Sequence, residues 1–529
     1  MQCKKLSELL DGVSVLDVIG DSNIEILNLS IDSRKCTVGG GFFAFIGENV
    51  DGNAFIENAI SNGCVAIFTD VKPSIIHDSV TYIILHDVKH YAGTIIGNFF
   101  DNPSKHIKVV AITGTSGKTS TSVILYNTLI GIGVKVGLMS TYKICVGSEE
   151  YPPENTTPSV LNVHKYLHDM VCAGCEYCIL EVSSHAIVQG RISGVKIIGA
   201  ICTNISSEHL EFHKTFEDYV LAKQKLFNDL PKTSFALYNA DDNHSRAVVE
   251  KTKASMYSFA FNSVATFRAK CIISPHGTSI KINRDNDYWV GDISSIHETQ
   301  PAIGDHKNIT ANSDYHGVSK NSNTLTITNG QLLGFGYAYN MLACFSVCSL
   351  LGFRDDDIRY SMSTLSPIPG RFQMVNLDGI NVIVDNAHKT GALDYTLKSI
   401  KSLSNGGRII VVIGCGGERD KTKRPAMTRI AYDISDMLIL TSDNPRSENV
   451  EDIISDMKSG LSIQEQCNTI TIPDRRCAIN EALTNARDGD FVLIAGRGSE
   501  NFQEIQGVRY PLNDMSVVLE FRDSHATPR

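Results

Sequence analysis

At 529 residues the chain exceeds what one hydrophobic core organises, and three domains is the natural division. Apolar content of 42% with 20% charged residues describes an ordinary globular protein, not a disordered or disulfide-stapled one. A net charge of −10 argues against general nucleic-acid binding and for work on small molecules.

The start of the chain, Met1-Gln-Cys-Lys-Lys-Leu6, lacks the apolar centre of a signal peptide. Residues 1 to about 104 hold short mixed segments with Gly-rich turns, among them Ile31-Asp-Ser-Arg34, Gly39–Gly47 and Asp51-Gly52, and predict a small α/β unit. The breaker Asn102-Pro-Ser104 closes it. Strands then alternate with helical patterns: Lys108–Ile112, Lys135–Leu138, Tyr177–Val182 and Ile197–Thr203 predict a parallel sheet wrapped by helices.

The first of these strands runs into Gly114-Thr-Ser-Gly117-Lys118-Thr119, with a helical pattern behind it. Glycines let backbone N–H groups approach an anion, and the helix N-terminus adds partial positive charge. A Lys at this position reaches outer phosphates, and a Thr hydroxyl can ligate Mg²⁺. Ile112 stands where the full phosphate-loop pattern has its first Gly, so this is a shorter variant.

Cys172, Cys175 and Cys178 have a spacing seen in metal sites, but Cys178 opens a buried strand and no fourth ligand follows, so packing is the preferred reading. Glu181 at the end of that strand stands where a second Mg²⁺ ligand belongs. Downstream come Glu208-His209 and an amphipathic helix carrying Lys223 among apolar neighbours; taken alone, such a Lys is usually a solvated rim residue.

The stretch from about 274 to 329 is polar and weakly periodic, and predicts a β-hairpin extension with an irregular surface insertion. A helix over Tyr339–Leu351 follows; its apolar run from Met341 to Phe353 is too short to span a bilayer. With 14 cysteines and no secretion signal, reduced thiols and a cytoplasmic protein are expected, a monomer without membrane or nucleic-acid partners.

Beyond Pro367-Ile-Pro-Gly370, strands Ile380–Val384, Arg408–Ile413, Met437–Leu440 and Phe491–Ala495 predict a doubly wound α/β domain. Asp385 at a strand end suits ribose hydroxyls. Three strand-end loops carry Arg419, Arg446 and Glu500. Two Arg forks suit carboxylates and a Glu suits an ammonium, which is the charge pattern of an amino acid.

These residues in this order resemble the Mur ligase family, above all the subgroup that adds the third residue of the peptidoglycan stem. The likeness runs from Asp32-Ser-Arg34 to Phe521-Arg-Asp523. Its specific segments are Asn155-Thr-Thr-Pro158, Glu181-Val-Ser-Ser-His-Ala186, Gly416-Gly-Glu-Arg-Asp-Lys421 and Asp443-Asn-Pro-Arg446.

The resemblance implies three α/β domains: an N-terminal UDP-substrate domain (1–104), a central P-loop ATPase-like domain (105–366) and a Rossmann-like amino-acid domain (367–529). It implies an ATP- and Mg²⁺-dependent amide ligase that joins a diamino acid, meso-diaminopimelate, to a UDP-linked muramoyl dipeptide through an acyl phosphate.

Gly114, Thr115, Ser116, Gly117, Lys118, Thr119, Ser120, Arg371 and Asp385 would bind ATP. Lys118, Glu181, His209 and Lys223 would be catalytic; Thr119, Glu181, His209 and Lys223, the last as a CO₂-derived carbamate, would hold metal. Ser33, the Gly47–Val50 loop, Asn155, Thr156, Thr157, Ser183, Gln189 and Arg191 would line the UDP substrate. Arg419, Asp443, Asn444, Pro445, Arg446, Gly496 and Glu500 would bind the amino acid.

The chain departs from the family pattern at Ser207-Glu208 (for Arg-Asp), Gln373 (for Glu), Asn386 (for Tyr), Lys389-Thr390 (for Thr-Pro or Asn-Pro), Arg497 (for Lys) and Ser499 (for His). These departures leave open a diverged amide ligase of a specialised pathway, with another acid and amine. A P-loop kinase or NTPase is a further alternative; it accounts for the phosphate loop but not for the paired Arg loops.

Overall fold

A computed structural model describes residues 3–47, 50–274, 277–283 and 324–525. Part of the Gly47–Val50 loop and most of the 274–329 insertion therefore lie outside the described residues. The first unit is a five-stranded sheet ordered Val15–Ile19, Thr81–Leu85, Cys64–Thr69, Gly40–Phe43, Asn28–Ser30, antiparallel only at the first pair. Helix Val88–Phe99 covers it. Its buried Val88, Ala92, Ile95, Ile96 and Phe99 fall on one helical face, and Asp87 caps it by accepting from the His90 N–H.

The central sheet has 11 strands among the described residues, with Lys108–Thr113 near its middle. Parallel neighbours Tyr177–Glu181 and Ile197–Cys202 flank that strand. Val109, Val110, Ala111 and Ile112 are fully buried, as a strand covered by helices on both faces requires. The register pairs Glu181 with Ile112 and Cys202 with Thr113, so three strand ends deliver their next residues to one edge.

At the far edge Phe267–Ser274, Gly277–Asn283 and Thr324–Asn329 pair antiparallel. Ile280, Ile282 and Ile327 are buried, the period-two alternation of strands with one face covered.

Helix Phe335–Leu350 packs on helix Lys118–Gly131 through Thr121, whose hydroxyl donates to Asn340 Oδ1 at 3.1 Å. It begins four residues before the predicted Tyr339. Gly334 turns the chain with φ +98, and the Phe335 N–H donates to Ser399 Oγ at 3.0 Å. That hydroxyl belongs to helix Thr390–Leu403 of the third unit, so the earlier start depends on a contact the local sequence does not carry. Among the described residues no helix is long and apolar enough to cross a membrane.

The third sheet is ordered Gln373–Leu377, Ile380–Asp385, Phe491–Ala495, Ile409–Ile413, Met437–Leu440, Ile470–Thr471, parallel after its first pair. The mixed α/β architecture with parallel sheets is the expected fold class. Cys178 is fully buried in its strand while Cys172 is exposed, so the Cys run does not converge.

Two strand-end loops of the third sheet hang on one buried ion pair. Arg475 donates from Nε and Nη2 to both Asp514 oxygens at 2.9 and 2.7 Å, and further to the carbonyls of Ser442 and Ala495. Both side chains are at most 1% exposed. Removing the carboxylate leaves a buried guanidinium with only the two loop carbonyls as partners. We expect Asp514→Ala to cost about 3–5 kcal/mol in urea unfolding. A loss below ~1 kcal/mol, the range of an exposed pair, would refute this anchoring role.

Candidate active site

The loop Gly114–Gly117 is bent by two glycines at φ +144 and +80. It is held open from behind by Asn204, whose carbonyl accepts from Thr115 N–H at 2.8 Å and whose Oδ1 accepts from Ser116 N–H at 2.8 Å. Thr203 Oγ1 donates to the Ser116 carbonyl at 2.7 Å. Lys118 is the first residue of helix Lys118–Gly131, and its ammonium folds back onto the carbonyls of Gly114 and Thr115, both at 2.9 Å. The loop thus stands at a helix N-terminus with a cation beside it.

Glu181 is 1% exposed and hydrogen-bonded on both oxygens. Thr119 Oγ1 donates to its Oε1 at 2.9 Å, as does Thr141 Oγ1 at 3.1 Å, and the Thr141 N–H donates to Oε2 at 2.8 Å. A hydroxyl and a carboxylate so close together offer the hard oxygen ligands that Mg²⁺ takes alongside water and phosphate.

Lys223 lies on helix Phe216–Asn228, 1% exposed, and is not a rim residue. Its Nζ donates to Thr113 Oγ1 and to the Gly114 carbonyl, each at 3.1 Å, and sits 4.8 Å from the centre of the Tyr219 ring. Tyr219, one helical turn earlier, hydrogen-bonds Thr115 Oγ1 at 2.8 Å. Burial, reinforced by the Lys118 ammonium, brings the Lys223 amine down to about 7, so a nucleophilic neutral form is populated near neutral pH.

A cavity of about 870 Å³ opens above this loop, lined from the other side by the third unit through Arg371, Asp385, Asn386, His388 and Lys389. Lys389 donates to the Thr115 carbonyl at 3.0 Å and forms an ion pair with Glu208. Burial pushes the Glu208 carboxyl up, but Lys389, His209 and Lys118 outweigh it and hold it at about 2. Burial and the Lys118 ammonium lower Lys389 to about 8, which leaves it mainly charged at neutral pH. Burial, with Lys389 and Lys423, takes His388 down to about 3, so that imidazole is neutral.

His209 has φ +55 and stacks edge-on with His185 at 4.9 Å. Asp385 accepts from the Phe372 N–H at 2.5 Å. Oriented by its hydrogen-bond partners, the Asn386 amide accepts from both Arg371 Nη atoms and donates to the Gly496 carbonyl.

Thr156 and Ser183 also line the cavity. Thr157 accepts from the Ser183 N–H and donates to the Glu181 carbonyl, and Arg191 clasps both the Thr157 carbonyl and Gln189 Oε1. Asn155 is exposed beside this cluster in the chain. Ser33 is buried in the first unit and is not part of the cavity wall.

The proposed amino-acid residues gather separately, outside that wall. Asn444 Nδ2 donates to Glu500 Oε2 at 2.7 Å, and Arg446 Nη1 donates to the Gly417 carbonyl at 2.5 Å. Asp443 lies against Gly496, where an added Cβ would meet its Oδ2 at 2.7 Å. Pro445 is buried between them in the chain, and Arg419 is exposed at the loop surface. Burial and the neighbouring Asp443 raise the Glu500 carboxyl.

Sequence reading missed Thr113, Thr141, Asn204, Glu208, Tyr219 and Lys389 as parts of this site. Tyr219 carried a signal, the i, i+4 spacing to Lys223. Glu208 was named beside His209 without a role, and Lys389 was visible only as a departure from a pattern.

Residues 25–102 match the Mur ligase family catalytic domain, 112–348 the Mur ligase middle domain and 370–498 the Mur ligase glutamate ligase domain. The UDP-N-acetylmuramoyl-L-alanyl-D-glutamate–2,6-diaminopimelate ligase of Bacteroides fragilis is 37% identical over 98% of this chain and 99% of its own. The Clostridioides difficile protein of the same name is 34% identical over 98% and 99%. A solved structure with that enzyme name superposes at TM-score 0.64 with 28% identity, covering 95% of this chain and 96% of that one. MurF ligase from Thermotoga maritima in complex with ADP shares the fold at TM-score 0.60 and 18% identity, over 94% of this chain and 97% of that one.

The loop geometry has a direct test. A Cβ on Gly114 would sit 2.0 Å from Thr203 Oγ1 and demand φ +144. Gly114→Ala is expected to weaken ADP binding by about tenfold or more in calorimetry while the fold persists by circular dichroism. Wild-type affinity would contradict the phosphate-cradle assignment.

Proposed function

The chain belongs to the Mur ligase family, and from that premise we infer that it is an ATP-dependent ligase adding meso-diaminopimelate to UDP-N-acetylmuramoyl-L-alanyl-D-glutamate in peptidoglycan precursor synthesis. The observation that carries the reading is the meeting of three strand ends on one phosphate loop, where Lys118, Thr119, Glu181 and Lys223 come together. ATP, when bound, supplies the phosphoryl group that turns the substrate carboxylate into an acyl phosphate. The substrate oxygen gains the phosphorus as ADP departs; the neutral amine then attacks the acyl carbon, phosphate leaves, and the nitrogen loses a proton.

The loop N–H groups and Lys118 neutralise the developing charge on the outer phosphates. Thr119 and Glu181 would hold one Mg²⁺, and His209 with Lys223 as its carbamate would hold a second. An ammonium cannot approach Mg²⁺; the carbamate, formed when the neutral Lys223 amine attacks CO₂ and loses a proton, is an anion that can. Arg371 and Asp385 face the nucleotide. Ser33, Asn155, Thr156, Thr157, Ser183, Gln189 and Arg191 receive the UDP-linked substrate.

In the third unit, Arg446 and Arg419 take carboxylates of the incoming diamino acid, while Asp443, Asn444, Pro445, Gly496 and Glu500 shape the pocket for its ammonium groups. The distal carboxylate of diaminopimelate gives Arg446 a partner that lysine lacks, which supports the choice of amine. We assign the three working units to 1–104, 105–366 and 367–529, in a monomeric cytoplasmic enzyme; all 14 cysteines are free.

Two measurements check this reading. ADP release with the UDP-muramoyl dipeptide should be fast with meso-diaminopimelate and at least about a hundredfold slower with lysine, and Arg446→Ala should erase most of that difference. Turnover with another amine alone would move the enzyme to the specialised-pathway reading, and phosphorylated product without amide would make it a kinase. Second, Lys223→Ala should lose about a hundredfold or more in kcat and regain part with added short carboxylic acids. Intact-mass analysis of the wild type under bicarbonate should show one added CO₂. Undiminished kcat in that variant would remove Lys223 from the mechanism.

A further inference from the structure

Lys389 reaches the phosphate loop from the opposite wall of the cleft. It precedes helix Thr390–Leu403 in the third unit, yet its Nζ lies 3.0 Å from the carbonyl of Thr115, inside the loop. Lys118 donates to that same carbonyl at 2.9 Å. Two ammonium groups on one carbonyl repel each other, and the nearby Glu208 is their shared carboxylate.

The Glu208 pairing is incomplete. Its Oε1 faces Lys389, whereas its Oε2 is buried without a hydrogen-bond partner among the described residues. A pair built only to pin two units together would be expected to satisfy both oxygens. Lys389 stands where the family pattern has a neutral residue, so the cation is this chain's own contribution to the cleft.

We propose that Lys389 is a second phosphate-binding cation, supplied across the cleft by the third unit, that exchanges the Thr115 carbonyl and Glu208 for the outermost phosphate of a bound nucleoside triphosphate. It would then touch the phosphoryl group being transferred from the face opposite Lys118. Because it arrives on the other unit, its contact couples occupancy of the triphosphate to the seating of the third unit, which bears the amino-acid pocket. The proposal rests on the ligase reading above.

The test compares equilibrium binding of ADP and of a non-hydrolysable ATP analogue to the full chain with Mg²⁺. Lys389→Ala is expected to weaken the triphosphate analogue by about tenfold or more while ADP changes by less than about twofold. Lys389→Arg should restore most of the loss, since the charge is kept. If both nucleotides weaken equally, Lys389 is an interdomain tie and the proposal fails. It fails too if neither changes. Should the wild type bind the analogue but form no amide with any amine, the ligase reading falls instead, whatever Lys389→Ala does.

Discussion

Three lysines converge on two adjacent carbonyls. Lys118 donates to Gly114 and Thr115, Lys223 to Gly114, and Lys389 to Thr115. Each comes from a different element, and the third comes from a different unit. Burying two amines beside a third is unfavourable: burial first, and then the Lys118 charge, brings Lys223 to about 7 and Lys389 to about 8. Glu208 is the carboxylate that partly offsets this charge, with one oxygen left unpartnered among the described residues. In the proposed reading, the triphosphate of a bound nucleotide completes the compensation.

The scaffold makes this clustering possible. Parallel pairing fixes the ends of Lys108–Thr113, Tyr177–Glu181 and Ile197–Cys202 in register, so Thr113, Glu181 and Thr203 arrive together. In the third unit the buried Arg475–Asp514 pair does the same for the loops beginning at Ser442 and Ala495. Between the two clusters runs a short polar relay, Arg371 to Asn386 to the Gly496 carbonyl. It joins a residue of the cavity wall to the loop proposed to receive the amino acid.

Much of this was legible in the chain. Apolar β-branched runs place the strands read from them, such as Tyr177–Glu181 and Phe491–Ala495, to within a residue or two, because strands buried on both faces need such runs; Phe235–Asn239 and Ser255–Ala260 of the central sheet were not read. Glu181 stands at a strand end and Lys118 and Thr119 open the helix behind the loop, positions where local sequence and place in the fold coincide. Other features depend on what tertiary packing brings near. Helix Phe335–Leu350 starts early because Ser399, 64 residues away, caps it. Lys223 reads as a rim residue in its own helix, yet it is buried against the strand end and loop at Thr113 and Gly114, more than a hundred residues earlier in the chain. Lys389 and Glu208, 181 residues apart in the chain, carry no shared local signal at all.

In the proposed reaction this cavity drives formation of an acyl phosphate, with the substrate carboxylate as the attacking group. Heavy oxygen placed in the terminal carboxylate of the UDP-muramoyl dipeptide tests it most directly. During turnover with diaminopimelate, mass spectrometry of the released phosphate should find one labelled oxygen per phosphate. Unlabelled phosphate would mean that ATP is cleaved by water, and would contradict the account.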